Sequence, residues 1–225
     1  MTHKNLKWAR AYALAFDPDF KFRWEYYDQL LLANLNSKTE WLDIGCGYNN
    51  DVKQFGDKTS FACGLDIILT DQHELPFVQG DIYKLPFKSN SFDFISLRFV
   101  VEHIEFPQKA FNEMHRILKP NGRILIMTTN LSSPLIYLPR ILPFKLKQFL
   151  LEKIFDGHHK DIFPTFHKLN RRSDYQTLTD KFDITQFSYI QDTNIARRWL
   201  FKLLFRLGQF SEPWRINLIA ILSKK

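Results

Sequence analysis

Apolar residues recur at helical spacing from Leu6 to Leu35, with Trp24, Tyr27, Leu30, Leu31 and Asn34 along one face, predicting one or two amphipathic helices. The pattern then changes. Trp41-Leu42-Asp43-Ile44 is a short apolar run that ends in a glycine turn, Gly45-Cys46-Gly47. Ser60–Asp66, Phe77–Asp81 and Ser91–Leu97 have the length and composition of buried strands, the last entered through a turn at Asn90. From Pro107 to Leu118 the period returns to 3.6, with Phe106, Ala110, Phe111, Met114, Ile117 and Leu118 on one side and proline where a first turn tolerates it. Lys119-Pro120-Asn121-Gly122 predicts a turn into a fifth buried strand, Arg123–Thr128. Strands alternating with helices imply an α/β fold with a mostly parallel sheet.

Beyond Asn130 the rhythm breaks. About fifty residues pass before the next strand pattern, Phe182–Ile190, which is followed by a helical stretch, Ile195–Leu207, and a last strand, Ile216–Leu222. That interval exceeds an ordinary crossover and calls for additional helices. The 225-residue length suits one domain with decorations: a helical cap over 1–39, a core over 40–130, a helical insertion over 131–180 and final strands over 181–225.

Charge divides at the same place. Residues 1–129 carry 15 Lys+Arg against 16 Asp+Glu, whereas 130–225 carry 16 against 8, so the whole +7 excess lies in the second part. Two apolar stretches there are interspersed with cations, 131–155 and 195–207. Each fits either a cap helix on the sheet or a helix lying at a bilayer interface, which would make the contact peripheral. No run of about 18 apolar residues would span a bilayer. No leader pattern precedes Arg10, and two cysteines make no disulfide framework, so a cytoplasmic protein is expected.

The chemistry concentrates at strand ends. Glycine at 45 and 47 permits a sharp turn and lets backbone approach a ligand. Asp66, about twenty residues on, ends the second strand, where a carboxylate can accept from ribose hydroxyls. Asp81 ends the third and can accept from an adenine amino group, with Ile82 against the ring. One aspartate after a strand is ordinarily a cap or turn residue. Three in succession, with the glycine turn, line the crevice where open α/β sheets bind ligands.

These residues, with the segments WLDIGCG, GLDI, VQGDIYKLPFKSNSFDFI, VVEHI and FNEMHRILKPNGRILIMTTN, closely resemble class I S-adenosylmethionine-dependent methyltransferases. The resemblance is specifically to the methyltransferase type 11 family, which includes ubiquinone and menaquinone methylating enzymes. The resemblance covers roughly Glu40–Asn130. It implies a Rossmann-like three-layer sandwich whose seven-stranded sheet has the order 3-2-1-4-5-7-6 with an antiparallel last strand. It further implies S-adenosyl-L-methionine as cofactor. The methionine part would lie beside Asp43, Gly45, Cys46 and Gly47, the ribose at Asp66 and Ile67, and the adenine at Asp81 and Ile82. Leu97 and Arg98 would close the site, Arg98 toward the cofactor's carboxylate. The family often has a third glycine where this chain has Asn49, a residue that tolerates the left-handed conformation.

No catalytic residue is assigned. His103 reads as a structural histidine near a helix start, although its ordinary pKa would suit a base. His158, His159, Asp161 and His167 lack a metal-ligand spacing, so no metal is expected. Small-molecule, lipid and glycan acceptors fit the second half, and the oligomeric state is left open. Nucleic acid is not the expected partner: no Asn/Asp-Pro-Pro-aromatic motif follows the fourth strand, where the chain reads Ser96-Leu97-Arg98-Phe99. RNA methylation by another geometry, an NAD(P)-dependent oxidoreductase and a non-catalytic binding protein stay open as alternatives.

Overall fold

A computed structural model describes residues 3–69, 76–134, 136, 164–191 and 198–225. Seven strands form one sheet: β1 (Glu40–Ile44), β2 (Phe61–Asp66), β3 (Phe77–Gln79), β4 (Phe92–Arg98), β5 (Leu118–Thr129), β6 (Phe182–Ile190) and β7 (Asn217–Lys224). Their order is β3-β2-β1-β4-β5-β7-β6, as the resemblance implied. β1 pairs in parallel with β2 and β4, β2 with β3, and β4 with β5. β7 runs against both neighbours. Asn130 N donates to Ile216 O (2.8 Å) at one end, while Lys224 Nζ donates to Leu118 O (2.7 Å) and Lys225 N to Lys181 O (3.1 Å) at the other.

Five helices occur among the described residues: α1 (His3–Leu14), α2 (Arg23–Ala33), α3 (Asn50–Phe55), α4 (Pro107–Ile117) and α5 (Arg198–Phe210). The first helical pattern is thus two helices. They break at Asp17-Pro18-Asp19, where Asp17 Oδ1 accepts from Asp19 N (3.2 Å) in a local turn. α4 stops at Ile117, and Leu118 already belongs to β5. The segment read as a turn, Lys119–Gly122, is an irregularity inside that strand. Phe92 pairs with Leu118 and Phe94 with Arg123, so four residues of β5 pass one of β4, with Asn121 left-handed (φ 63°) at the excursion. Lys119 then reaches back to bind Asp93 and Glu40, a clamp across β5, β4 and β1.

The chain divides into two compact units. One comprises Tyr27–Thr128, Thr165–Ser188 and Ile219–Lys225. Its interior is built from Trp41, Leu42, Phe94, Ile95, Leu97, Phe111, Met114 and Ile124–Met127, all essentially without solvent exposure. The other comprises Met1–Tyr26, Thr129–Pro164 and Tyr189–Leu218. Its described core is aromatic: Phe20, Phe22, Phe201 and Phe205, with Ala9 and Ala13 letting α1 approach. Of the long interval after β5, the described part includes a 3-10 segment, Arg172–Leu178. Most of 131–155, the histidine cluster at 158–161 and residues 195–197 lie outside the described residues.

Candidate functional site

β1 delivers Asp43 and then turns at once. Gly45 and Gly47 both take positive φ (70° and 54°), and Gly45 N donates to Leu65 O at 2.7 Å, which ties the turn to β2. A Cβ on Gly45 would lie 2.3 Å from Val100 Cγ2, so glycine is obligatory there for both conformation and space. At Gly47 a Cβ would meet nothing within 4 Å, which leaves the turn's backbone open to an approaching ligand.

Asp66 fixes this turn from the end of β2. Its Oδ2 accepts from Gly47 N (2.9 Å) and its Oδ1 from Ile68 N (3.0 Å). A carboxylate has about four lone-pair sites, so two acceptor positions remain for hydroxyl donors. Beyond it, Ile67 and Leu69 are 59% and 64% exposed, an apolar strip beside the carboxylate. Asp81 follows β3, and its Oδ1 accepts from Tyr83 N (2.9 Å); it is therefore an exposed turn residue. Helix α4 holds the stretch that follows. Glu113 accepts from Leu85 N (2.9 Å), while Arg116 donates to Phe87 O (2.7 Å) and Leu85 O (3.0 Å). The Arg116 hydrogen bonds also hold the Glu113 carboxyl below its ordinary range. This lashing joins the Leu-Pro-Phe segment to the acidic-basic pair in α4.

Asn49, where a third glycine was expected, is left-handed at φ 64°. It is fully buried and donates through Nδ2 to Pro76 O at 2.8 Å, the carbonyl that also accepts from Gly64 N (3.0 Å). The substitution therefore adds a link between the turn and the segment entering β3. Space for it comes from Gly64, where a Cβ would fall 2.0 Å from Asn49 Oδ1.

Asp43 is buried within a polar cluster that sequence patterning did not assemble. Trp41 Nε1 donates to Ser96 Oγ (2.8 Å), and Ser96 Oγ donates to Asp43 Oδ1 (2.5 Å). Burial pushes the Asp43 carboxyl up to about 7, reinforced by the nearby charge of Asp51 and opposed by the Ser96 hydrogen bond and by Arg98. Arg98 donates to Asp51 (2.6 Å), lies 3.9 Å from Asp28 and stacks its guanidinium over Tyr27 at 5.3 Å. The Tyr27 phenol is wholly buried, and burial raises its pKa well above the ordinary value, with Asp43 adding to the rise. Ser96, Asp51 and Tyr27 thus surround Asp43 beyond the sequence assignment. A serine inside the apolar run Phe92–Leu97 was the one available signal.

The remaining assigned residues separate. Leu97 is fully buried in the sheet, so only its backbone borders the strand end. Phe99, two residues on, is left-handed (φ 58°), an unusual conformation for a bulky side chain and one that concentrates at functional sites. Cys46 and Cys63 are both free. Burial, then Asp43 and Asp66, raise the Cys46 thiol far above its ordinary pKa, and burial raises Cys63 to about 11. His103 lies in a 3-10 turn, Val101–His103. Its neighbour Glu102 is buried, accepting from Thr128 Oγ1 (2.8 Å), while Asn170 Nδ2 donates to the same hydroxyl (2.8 Å). Among the described residues no group of His, Cys, Asp and Glu is placed to hold a metal ion.

A mostly parallel sheet in this order, with a glycine turn after β1 and acids at the ends of β1 and β2 and just beyond β3, defines the class I methyltransferase fold. Residues 42–126 match the family described as "Methyltransferase domain" and form an S-adenosylmethionine-dependent methyltransferase domain of that class. It is related to the ubiquinone/menaquinone methyltransferases. The chain is 43% identical over 53 residues to the ubiquinone/menaquinone biosynthesis C-methyltransferase of Ruegeria sp., covering 24% of this chain and 21% of that protein. It is 29% identical over 97 residues to the demethylmenaquinone methyltransferase of Renibacterium salmoninarum, covering 38% and 39%. The chain spans less than half the length of these curated relatives. Among solved structures, the PH0226 protein of Pyrococcus horikoshii matches with a TM-score of 0.58 at 18% identity, over 97% of this chain and 99% of that one. The geranyl diphosphate C-methyltransferase of Streptomyces coelicolor matches at 0.59 and 11% identity, over 89% and 79%. These structural likenesses concern the fold.

Proposed function

We propose that this protein transfers the methyl group of S-adenosylmethionine to a small-molecule acceptor of lipid character. The observation that carries the reading is the Asp66 carboxylate. It holds the glycine turn through Gly47 N and keeps acceptor positions for a ribose. In this reading Asp43, Gly45, Cys46 and Gly47 border the methionine part of the cofactor. Ile67 and Ile82 cover the nucleoside, and Asp81 accepts from the adenine amino group. Leu97 lends backbone, and Arg98 balances the charges of Asp43 and Asp51 beside the cofactor's own carboxylate.

When bound, the cofactor supplies an electrophilic methyl carbon on a sulfonium. What the chain must add is alignment of an acceptor in line with that carbon, which can supply most of the acceleration without a base. A base is required only for an acceptor that loses a proton as it attacks. Lipid character is supported by the relatives, a ubiquinone/menaquinone biosynthesis C-methyltransferase and a demethylmenaquinone methyltransferase.

The test has two parts. Titration with S-adenosylhomocysteine and with NAD should give binding of the first alone. Transfer of labelled methyl to fractionated extract, with lipid, glycan, water-soluble and RNA pools counted separately, should label the lipid pool. Failure to bind S-adenosylhomocysteine would reject the cofactor reading, and label confined to RNA or glycan would reject the acceptor reading.

A further inference from the structure

Helix α5 presents three distinct stripes. Phe201, Phe205 and Gly208 are buried, and the two rings stack at 5.8 Å against the aromatic face of α1, where Phe201 meets Trp8 edge-on at 5.7 Å. At about 100° per residue, Arg198, Lys202 and Arg206 form a second stripe, recurring every fourth position. Trp199, Leu203 and Phe210 form a third beside it, and they are 61%, 48% and 80% exposed.

The cationic stripe has no carboxylate partner among the described residues, and α5 itself contains no acid. Its charges rest instead on rings. Arg198 lies 5.2 Å from the Trp8 ring, Lys202 5.4 Å from Tyr12, and Arg206 5.4 Å from Phe16, which is itself half exposed. Burying one face of α5 accounts for the first stripe. It does not account for a tryptophan, a leucine and a phenylalanine in water next to three cations that have no carboxylate partner among the described residues.

We propose that this face of α5 docks on an anionic lipid surface. Trp199, Leu203 and Phe210 would enter the boundary between headgroups and acyl chains, and Arg198, Lys202 and Arg206 would meet the headgroup phosphates. A helix with one strongly cationic stripe beside an aromatic and aliphatic one suits that position, lying in the plane of the interface. The charge split supports the same occupant, since residues 130–225 carry 16 basic against 8 acidic residues. A soluble apolar partner would leave the cations unexplained, whereas an anionic bilayer engages both stripes. Among the described residues no helix is long and apolar enough to cross a membrane.

The experiment is co-sedimentation of the full chain with phosphatidylcholine vesicles, with and without about a third phosphatidylglycerol. The chain should pellet with the anionic vesicles and stay in solution with the neutral ones, and added salt should release it. Each cation near an anionic surface contributes roughly a fivefold factor, so R198Q/K202Q/R206Q should weaken binding about a hundredfold. W199S/F210S should abolish pelleting. Both variants should bind S-adenosylhomocysteine as the parent does. That readout separates loss of docking from misfolding and leaves the cofactor reading independent of this one. Equal pelleting by parent and variants would overturn the proposal, as would no pelleting with either vesicle. So would a concentration-dependent dimer that W199S/F210S dissolves without any vesicle binding, which would assign the face to a second copy.

Discussion

Gly64→Ala is the substitution that tests most directly how the glycine turn after β1 is held. The new Cβ would stand 2.0 Å from Asn49 Oδ1, 2.5 Å from Asn49 Cγ and 2.7 Å from Cys46 Sγ, in a place without exposure to relax into. Ordinary contact requires well over an ångström of movement. Overpacking of this kind costs typically about 1–3 kcal/mol. The Asn49 side chain must also leave Pro76 O, and a net hydrogen bond contributes about 1 kcal/mol. The total is on the order of 2–4 kcal/mol, or a melting point lower by roughly 5–15 °C for a chain this size. Asn49→Gly alone should be nearly neutral. It gives up the bond to Pro76 O but gains glycine's ease at φ 64°, and Pro76 O keeps its bond from Gly64 N. The double variant should therefore be at least about 1 kcal/mol more stable than the sum of the singles predicts. Urea denaturation of the four proteins, with S-adenosylhomocysteine titration of each, measures both effects. A Gly64→Ala protein as stable as the parent, or strictly additive costs, would refute the steric coupling.

Three further outcomes follow from the site. Burial raises the Asp43 carboxyl from 3.8 to about 7, so the folded state binds that proton more tightly than the unfolded chain does. Its stability contribution is then fully present below pH 3.8 and lost as pH rises through about 7. Asp43→Asn should flatten the fall, be more stable at pH 8 by roughly 2–4 kcal/mol, and bind S-adenosylhomocysteine more weakly; urea melts across the pH range that keep the parent's slope would contradict this. Asp66→Ala removes the acceptor for Gly47 N and should weaken S-adenosylhomocysteine at least about tenfold by calorimetry with little loss of stability. Unchanged affinity would reject the ribose role. Both thiols should react slowly with iodoacetamide at pH 8 until the chain is unfolded in urea, because Cys46 and Cys63 are held in the neutral form. Rapid native labelling of Cys46 would argue against its buried, acid-flanked setting.

What the sequence disclosed depended on range. The strand-end acids and glycine turn were legible because strand, turn and acid are neighbours in the chain. Asn49's left-handed conformation followed from its residue type, yet its bond to Pro76 O did not, because that partner is 27 residues away. Ser96 meets Asp43 only once β4 pairs with β1 in the register that sets the two opposite each other. Tyr27 sat on a correctly read helical face, and nothing local separates a core tyrosine from one over a buried carboxylate. The six residues of α3 are too few to show a period. The excursion in β5 was read as a turn because Lys-Pro-Asn-Gly is turn chemistry, which a bulge also uses.

The position of β7 has a bearing on how the molecule is made. Chain order places it after β6, but the sheet places it between β5 and β6, with its first six residues buried. Until those residues emerge from synthesis, β5 presents an open edge and β6 has no strand to join. A nascent chain that has already closed β1 to β5 therefore carries an unpaired apolar strand at its flank, the kind of surface on which chains associate wrongly. Assembly of the second half of the sheet is in this sense a single late event, in which one strand seats two. Its timing, rather than the stability of the finished sheet, sets how long the half-built protein is at risk.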